Sequence, residues 1–165
     1  MQVVCLGREA EVTMVAWHHG DPLNEQRRLA QGVANVELSD RDIITVTGED
    51  RLSWLHSLTT AQLERLAPGE SALALILSPH GHVEFELHII DDGLTTWIIT
   101  EPGMGAALAA YLDSMRFMMR VEVALVSSEY AVVWEPVRER DLSAPTWLVP
   151  AEYAGVGWTE AGTAR

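Results

Sequence analysis

Between the turn residues around Gly81 and Gly93 the chain reads His-Val-Glu-Phe-Glu-Leu-His-Ile-Ile, apolar and polar residues in strict alternation. An alternation of period two cannot bury one face of a helix, but it buries one face of a strand. Val83, Phe85, Leu87 and Ile89 are therefore expected to turn inward, and Glu84, Glu86 and His88 outward. A half-buried strand between two tight turns belongs to an antiparallel sheet. Two readings of the outward row stand: two carboxylates and a histidine holding a metal, or the solvated face of a hairpin. No second cluster at ligand spacing supports the metal, and a wet sheet face needs none.

Other stretches fall into place around this strand. The opening, "MQVVCLGREAEVTMVAW", reads as irregular or extended. Gly20 and Pro22 punctuate it, and a helix is expected from Leu23 to Gln31 with Gly32 to end it. "VANVELSD" and "RDIITVTG" read as two short strands closed by Gly48. In "EDRLSWLHSL", Leu52, Leu55 and Leu58 have helical spacing, with Glu49 and Asp50 at the positive end. Three strands follow, Ala72–Leu77, Val83–Ile90 and Thr95–Thr100. A helix is then expected with Thr100 as cap and Pro102 in its first turn, running to Met115. "FMMRVEVALV" and "YAVVWEPV" read as the last strands. Hairpins outnumber crossovers, so the fold class is α+β, a mainly antiparallel sheet with packed helices. The expected divisions are a lead-in over 1–22, one α+β unit over 23–136, and the incomplete start of a second half over 137–165, which carries Trp147, Tyr153 and Trp158.

Charge and composition narrow the function. Of 165 residues, 24 are acidic and 11 basic, a formal net charge of −13, and every basic residue is arginine. Such a surface repels phosphate backbones, so no nucleic-acid partner is expected. A lone cysteine, Cys5, excludes an internal disulfide and an all-cysteine metal site. No apolar run approaches a membrane span, so the expectation is a soluble cytoplasmic protein. There is no phosphate-binding glycine loop, no Gly-x-Gly-x-x-Gly between strand and helix, and no serine in a nucleophile elbow. "EPGMG" could hold an anion on backbone amides or simply start a helix. Arg116 and Arg120 could meet a carboxylate or complement a helix dipole. Composition and spacing alone reveal no enzyme.

Taken in series, several stretches resemble one family. "WHHGDPLNEQRRLAQGVANVELSDRDIITVTGEDRLSWLHSLTTAQL" looks like the opening of the T-protein of the glycine cleavage system and its relatives, the YgfZ-type folate-binding proteins. "SPHGHVEFELHII" is similar to the family's turn-and-strand, and "TWIITEPGMGAALAAYLDSMRFMMRVEV" resembles the strand–helix–strand unit of the YgfZ branch. The likeness covers about residues 15–135. It implies half of a duplicated ferredoxin-like folate-binding domain, a tetrahydrofolate-type ligand and, for the YgfZ branch, a role in making or repairing iron–sulfur client proteins. Family members are about twice as long, so a fragment is expected. An unmatched half in turn implies an apolar surface, centred on Val83, Phe85, Leu87 and Ile89, and a homo-oligomer.

Laid on the family, Arg41 matches a position lining the folate cavity, Leu77 lies near its wall, and Trp97 matches an aromatic of the next strand. Phe85 stands where the T-protein has its catalytic Asp. Glu84 and Glu86 cannot replace that acid, because neighbours on a strand point to opposite faces. The motif Lys-Gly-Cys-Tyr-x-Gly-Gln-Glu of the YgfZ branch is absent. The resemblance thus implies a non-catalytic tetrahydrofolate-binding protein without a catalytic residue or metal. The alternatives are an aminomethyltransferase and a scaffold that binds nothing alone.

Overall fold

The computed structural model describes strand Gln2–Gly7, residues 18–135 and strand Leu148–Val149. In chain order the elements are β1 (Gln2–Gly7), α1 (Pro22–Ala30), β2 (Val36–Glu37), β3 (Asp42–Thr47), α2 (Arg51–Leu58) and β4 (Ser71–Leu77). There follow β5 (Val83–Asp91), β6 (Thr95–Thr100), α3 (Gly105–Ser114), β7 (Glu122–Leu125), β8 (Tyr130–Glu135) and β9 (Leu148–Val149). They form two units: residues 1–40 with 128–165, and Arg41–Ser127. β1 and β2 both bond to β8, a pairing over long range that joins strands from before and after Arg41–Ser127 in the first unit.

The unit of the chain ends holds a four-stranded sheet in the order β2-β8-β1-β9. The opening that reads as irregular or extended contains β1, antiparallel to β8 from Gln2↔Glu135 to Gly7↔Tyr130. β9 runs parallel to β1. Helix α1 starts one residue before its expected position, with Asp21 as its cap accepting from the Asn24 amide at 3.1 Å. Glu25 reaches back to the amides of His19 and Asp21. Gly32, at φ 69°, supplies the left-handed residue just past the helix. Trp147, Tyr153 and Trp158 lie outside the described residues.

Residues 41–127 build a five-stranded, wholly antiparallel sheet in the order β4-β5-β6-β3-β7. β4, β5 and β6 form a meander. β3 then separates β6 from β7, and α3 crosses between those two strands. Cross-strand partners share a face, so Ile44, Ile98 and Ile89 line one side of the sheet together with Leu87 and Ala74. Trp54 and Leu55 of α2 and Leu108 and Leu112 of α3 pack into the same core. Thus the alternation in β5 holds: Leu87 and Ile89 are fully buried, while Glu84 and Glu86 are exposed. The expectation of a bare apolar face does not hold, since α2 and α3 cover it. Only Val83, at the strand's start, stays open at 58% exposure.

Two other expectations are corrected. Thr100 does not cap α3. It is buried in β6, its hydroxyl donating to the Glu86 carbonyl at 3.0 Å, and Glu101–Met104 make a turn before the helix opens at Gly105. Nor does "FMMR" enter a strand. Phe117 adopts φ 46°, and Phe117, Met118 and Met119 form an exposed loop ahead of β7.

Candidate functional site

Asp42, Asp50 and Asp91 bind this sheet to its helices, each through one backbone amide and at least one side-chain donor. Asp91 ends β5 at 1% exposure. It accepts from Arg51 Nε and Nη2, both at 2.9 Å, from the Thr96 hydroxyl at 2.6 Å and from the Gly93 amide at 2.8 Å. Burial on its own would push this acid's pKa up. The hydrogen bonds from Arg51, Thr96 and Gly93, with the Arg51 charge, outweigh it and hold the pKa below the usual value.

Asp42 opens β3 and sends Oδ2 to the Gly105 amide at 2.8 Å, while Oδ1 accepts from Ser127. So the anion at the start of α3 is the protein's own. "EPGMG" starts a helix, and the carboxylate of another strand satisfies its first amide. A Cβ on Gly105 would sit 2.6 Å from the Asp42 Cβ and 2.8 Å from Leu125 Cδ1, which explains the glycine.

Asp50 precedes α2 without bonding its amides through the side chain. It accepts instead from the Arg120 amide at 2.9 Å and from Nε and Nη2 at 3.0 and 2.8 Å. Those side-chain and backbone hydrogen bonds lower its pKa to about 2. Glu49 adds a second carboxylate to Arg120. Arg120 therefore clasps the start of α2, and Arg116 pairs with Asp113.

Among the described residues no three of His, Cys, Asp and Glu are placed to hold a metal ion. His88 sits 3.2 Å from Glu86 along the outer row. His80 and His82 are exposed in the β4–β5 turn.

The residues expected to line a ligand cavity are dispersed. Arg41 precedes β3 beside the Asp42↔Thr100 pair and is ion-paired to Glu101. Leu77 ends β4 at 40% exposure, next to the residue that pairs with Phe85. Phe85 is half-buried on the helix-covered face, its ring 5.9 Å from that of Tyr111. Trp97 pairs with Ile90, five residues from Phe85 along β5, and so occupies the opposite face. It is only 7% exposed, and its indole N–H donates to Asp92 Oδ2 at 3.1 Å. Leu77 and Phe85 lie on neighbouring strands, Leu77 one residue past the partner of Phe85, where the register of β4 and β5 shifts. Trp97 lies across the sheet from Phe85, and about 10 Å along the strands from the end that carries Arg41.

The sequence reading missed Asp91, Arg51 and Asp42. "IIDDG" did carry a signal: an acid that ends a buried strand requires a cation, and Arg51 opens the preceding helix.

No protein-family model and no curated protein matches the chain. A solved structure does: the glycine cleavage system aminomethyltransferase T of Bartonella henselae, with a TM-score of 0.58 at 16% identity. The match covers 68% of this chain and 32% of that one, so the chain corresponds to about a third of its neighbour's length. The α+β fold with its five-stranded antiparallel sheet is thus of the aminomethyltransferase T type. Among the described residues no helix is long and apolar enough to cross a membrane.

Proposed function

We propose that this chain is a folate-binding unit with an aminomethyltransferase T-like fold that does not carry out aminomethyl transfer. The observation that supports it most is the match in fold to aminomethyltransferase T. The sequence resemblance adds a tetrahydrofolate-type ligand. Absence of transfer rests on Phe85. At the position where the family's acid stands, this chain has an aromatic ring packed on Tyr111. Three of the described acids, Asp42, Asp50 and Asp91, are engaged in holding helices to the sheet.

Within this reading Arg41 is the residue to meet an anionic or carbonyl group of the ligand. It is a partly exposed cation whose partner, Glu101, is itself 54% exposed and can be displaced. Trp97 serves the pterin only if whatever covers it moves, and Leu77 and Phe85 belong to the wall of the β4–β5 hairpin. A finer role in the cytoplasm, maintaining iron–sulfur client proteins, derives from the YgfZ-type resemblance alone.

The name of the structural neighbour favours a second reading, aminomethyl transfer itself. Turnover separates the two. The 165-residue chain is supplied with tetrahydrofolate and an aminomethyl donor, and methylene-tetrahydrofolate is followed. Formation at the rate of a buffer control is expected, and turnover well above it would establish the transferase instead.

A further inference from the structure

The turn between α3 and β7 presents the two most exposed large apolar side chains among the described residues. Met118 is 95% exposed and Phe117 84%. The other methionines of the described residues are more enclosed. Met104, just before α3, and Met119 are each 36% exposed, and Met115, just past the end of α3, packs partly buried against the core.

Backbone bonds and two arginines hold this turn, and the Met118 side chain takes no part. The Met119 amide donates to the Arg116 carbonyl at 2.9 Å, and the Val121 amide to the Met119 carbonyl at 3.0 Å. Arg116 ties back to Asp113, and Arg120 to Asp50 and Glu49. Val121 then enters the core at 3% exposure. The fold therefore depends on the anchors around Met118 and not on its thioether. A methionine thioether reacts with two-electron oxidants, and access to its sulfur decides which one reacts. The sulfoxide is polar and chiral, so it disrupts a core, whereas a side chain already in water loses no packing by the change.

We infer that Met118 is a reversible oxidation site, taking oxygen from a hydroperoxide and losing it to a dithiol-dependent methionine sulfoxide reductase. In the forward step the sulfur lone pair attacks one peroxide oxygen. An S–O bond forms and the O–O bond breaks. The proton of the transferred oxygen passes to the leaving oxygen, which departs as water or an alcohol. Sulfur is oxidised by two electrons and the peroxide is reduced by two. In the return step a dithiol supplies two electrons and two protons, the S–O bond breaks, and methionine, water and a disulfide result. No neighbour shades the residue from either reagent, since Phe117 beside it also stands in water.

Treating the full chain with limiting hydrogen peroxide, then digesting it and fragmenting the peptides in a mass spectrometer, reads each methionine separately. Of Met104, Met115, Met118 and Met119, Met118 is expected to react first, at least about tenfold faster than Met115. The urea midpoint of the chain oxidised at Met118 alone should equal that of the untreated chain. Incubation with the two epimer-specific reductases and dithiothreitol should then restore the methionine. Met118→Leu should remove the fast phase and leave the rates at the other three unchanged. Oxidation of Met104, Met115 or Met119 as fast as Met118 in the unsubstituted chain would overturn the inference. So would a midpoint that falls as Met118 is oxidised, or a sulfoxide that the folded chain keeps in the presence of both reductases.

Discussion

Asp91 shows at the scale of a single residue how this fold uses charge. Its carboxylate is almost wholly out of water, a position that costs several kcal/mol unless every lone pair is engaged. Arg51, Thr96 and the Gly93 amide engage them. Asp91→Asn leaves the Arg51 guanidinium, 12% exposed, without its anion, and is expected to cost about 3 kcal/mol. A lower midpoint of urea unfolding at unchanged slope would register it. Asp50 has the same sign but a more open setting, its side chain 23% exposed. Its pKa is lowered to about 2 in the fold, so its contribution is complete above the unfolded value of about 3.9 and disappears as pH falls through the folded one. Compared over an acid titration, the chain and its Asp50→Asn variant should differ by a constant amount above about pH 5 and converge between about pH 4 and 2. A difference that grew toward low pH would contradict the clasp.

Elements that are locally coded were legible in the sequence. β5 and β6 stand where alternation and the "DDG" turn put them, and α1 stands one residue ahead of the span that Pro22 and Gly32 bound. α3 was misjudged at its start, because a threonine before Glu-Pro-Gly looks like a cap. The real partner of its first amide is Asp42, 63 residues away, and no local pattern announces so distant a bond. β1 is hard to read for a related reason, its partner β8 lying more than 120 residues further along the chain. The candidate site is least legible, since register alone sets two residues expected in one pocket on opposite faces of the sheet, as it does Phe85 and Trp97. Gly105→Ala tests the α3 junction. Alanine ordinarily favours a helix over glycine by up to about 1 kcal/mol, yet here its methyl meets Asp42 and Leu125 and should destabilise by about 1–3 kcal/mol. Thermal unfolding gives the sign, and a stabilised variant would mean that the junction is loose.

For the whole molecule, the central proposal is that a chain with an aminomethyltransferase T-like fold binds a folate ligand and carries Phe85 where the sequence resemblance places a catalytic acid. Binding is the part to measure, because absent turnover is also what an inert scaffold would give. Modest affinity is expected of this chain alone, which matches about a third of its neighbour's length. The most direct measurement is a titration of the 165-residue chain with tetrahydrofolate under reducing conditions, followed by amide chemical shifts. Saturable shifts are expected that include Arg41 and Glu101, with a dissociation constant of about 0.1–1 mM, equivalent to roughly 4–5.5 kcal/mol, and weakened in Arg41→Ala. Shifts that stay flat or fail to saturate up to about ten times that range would contradict a folate site in this chain.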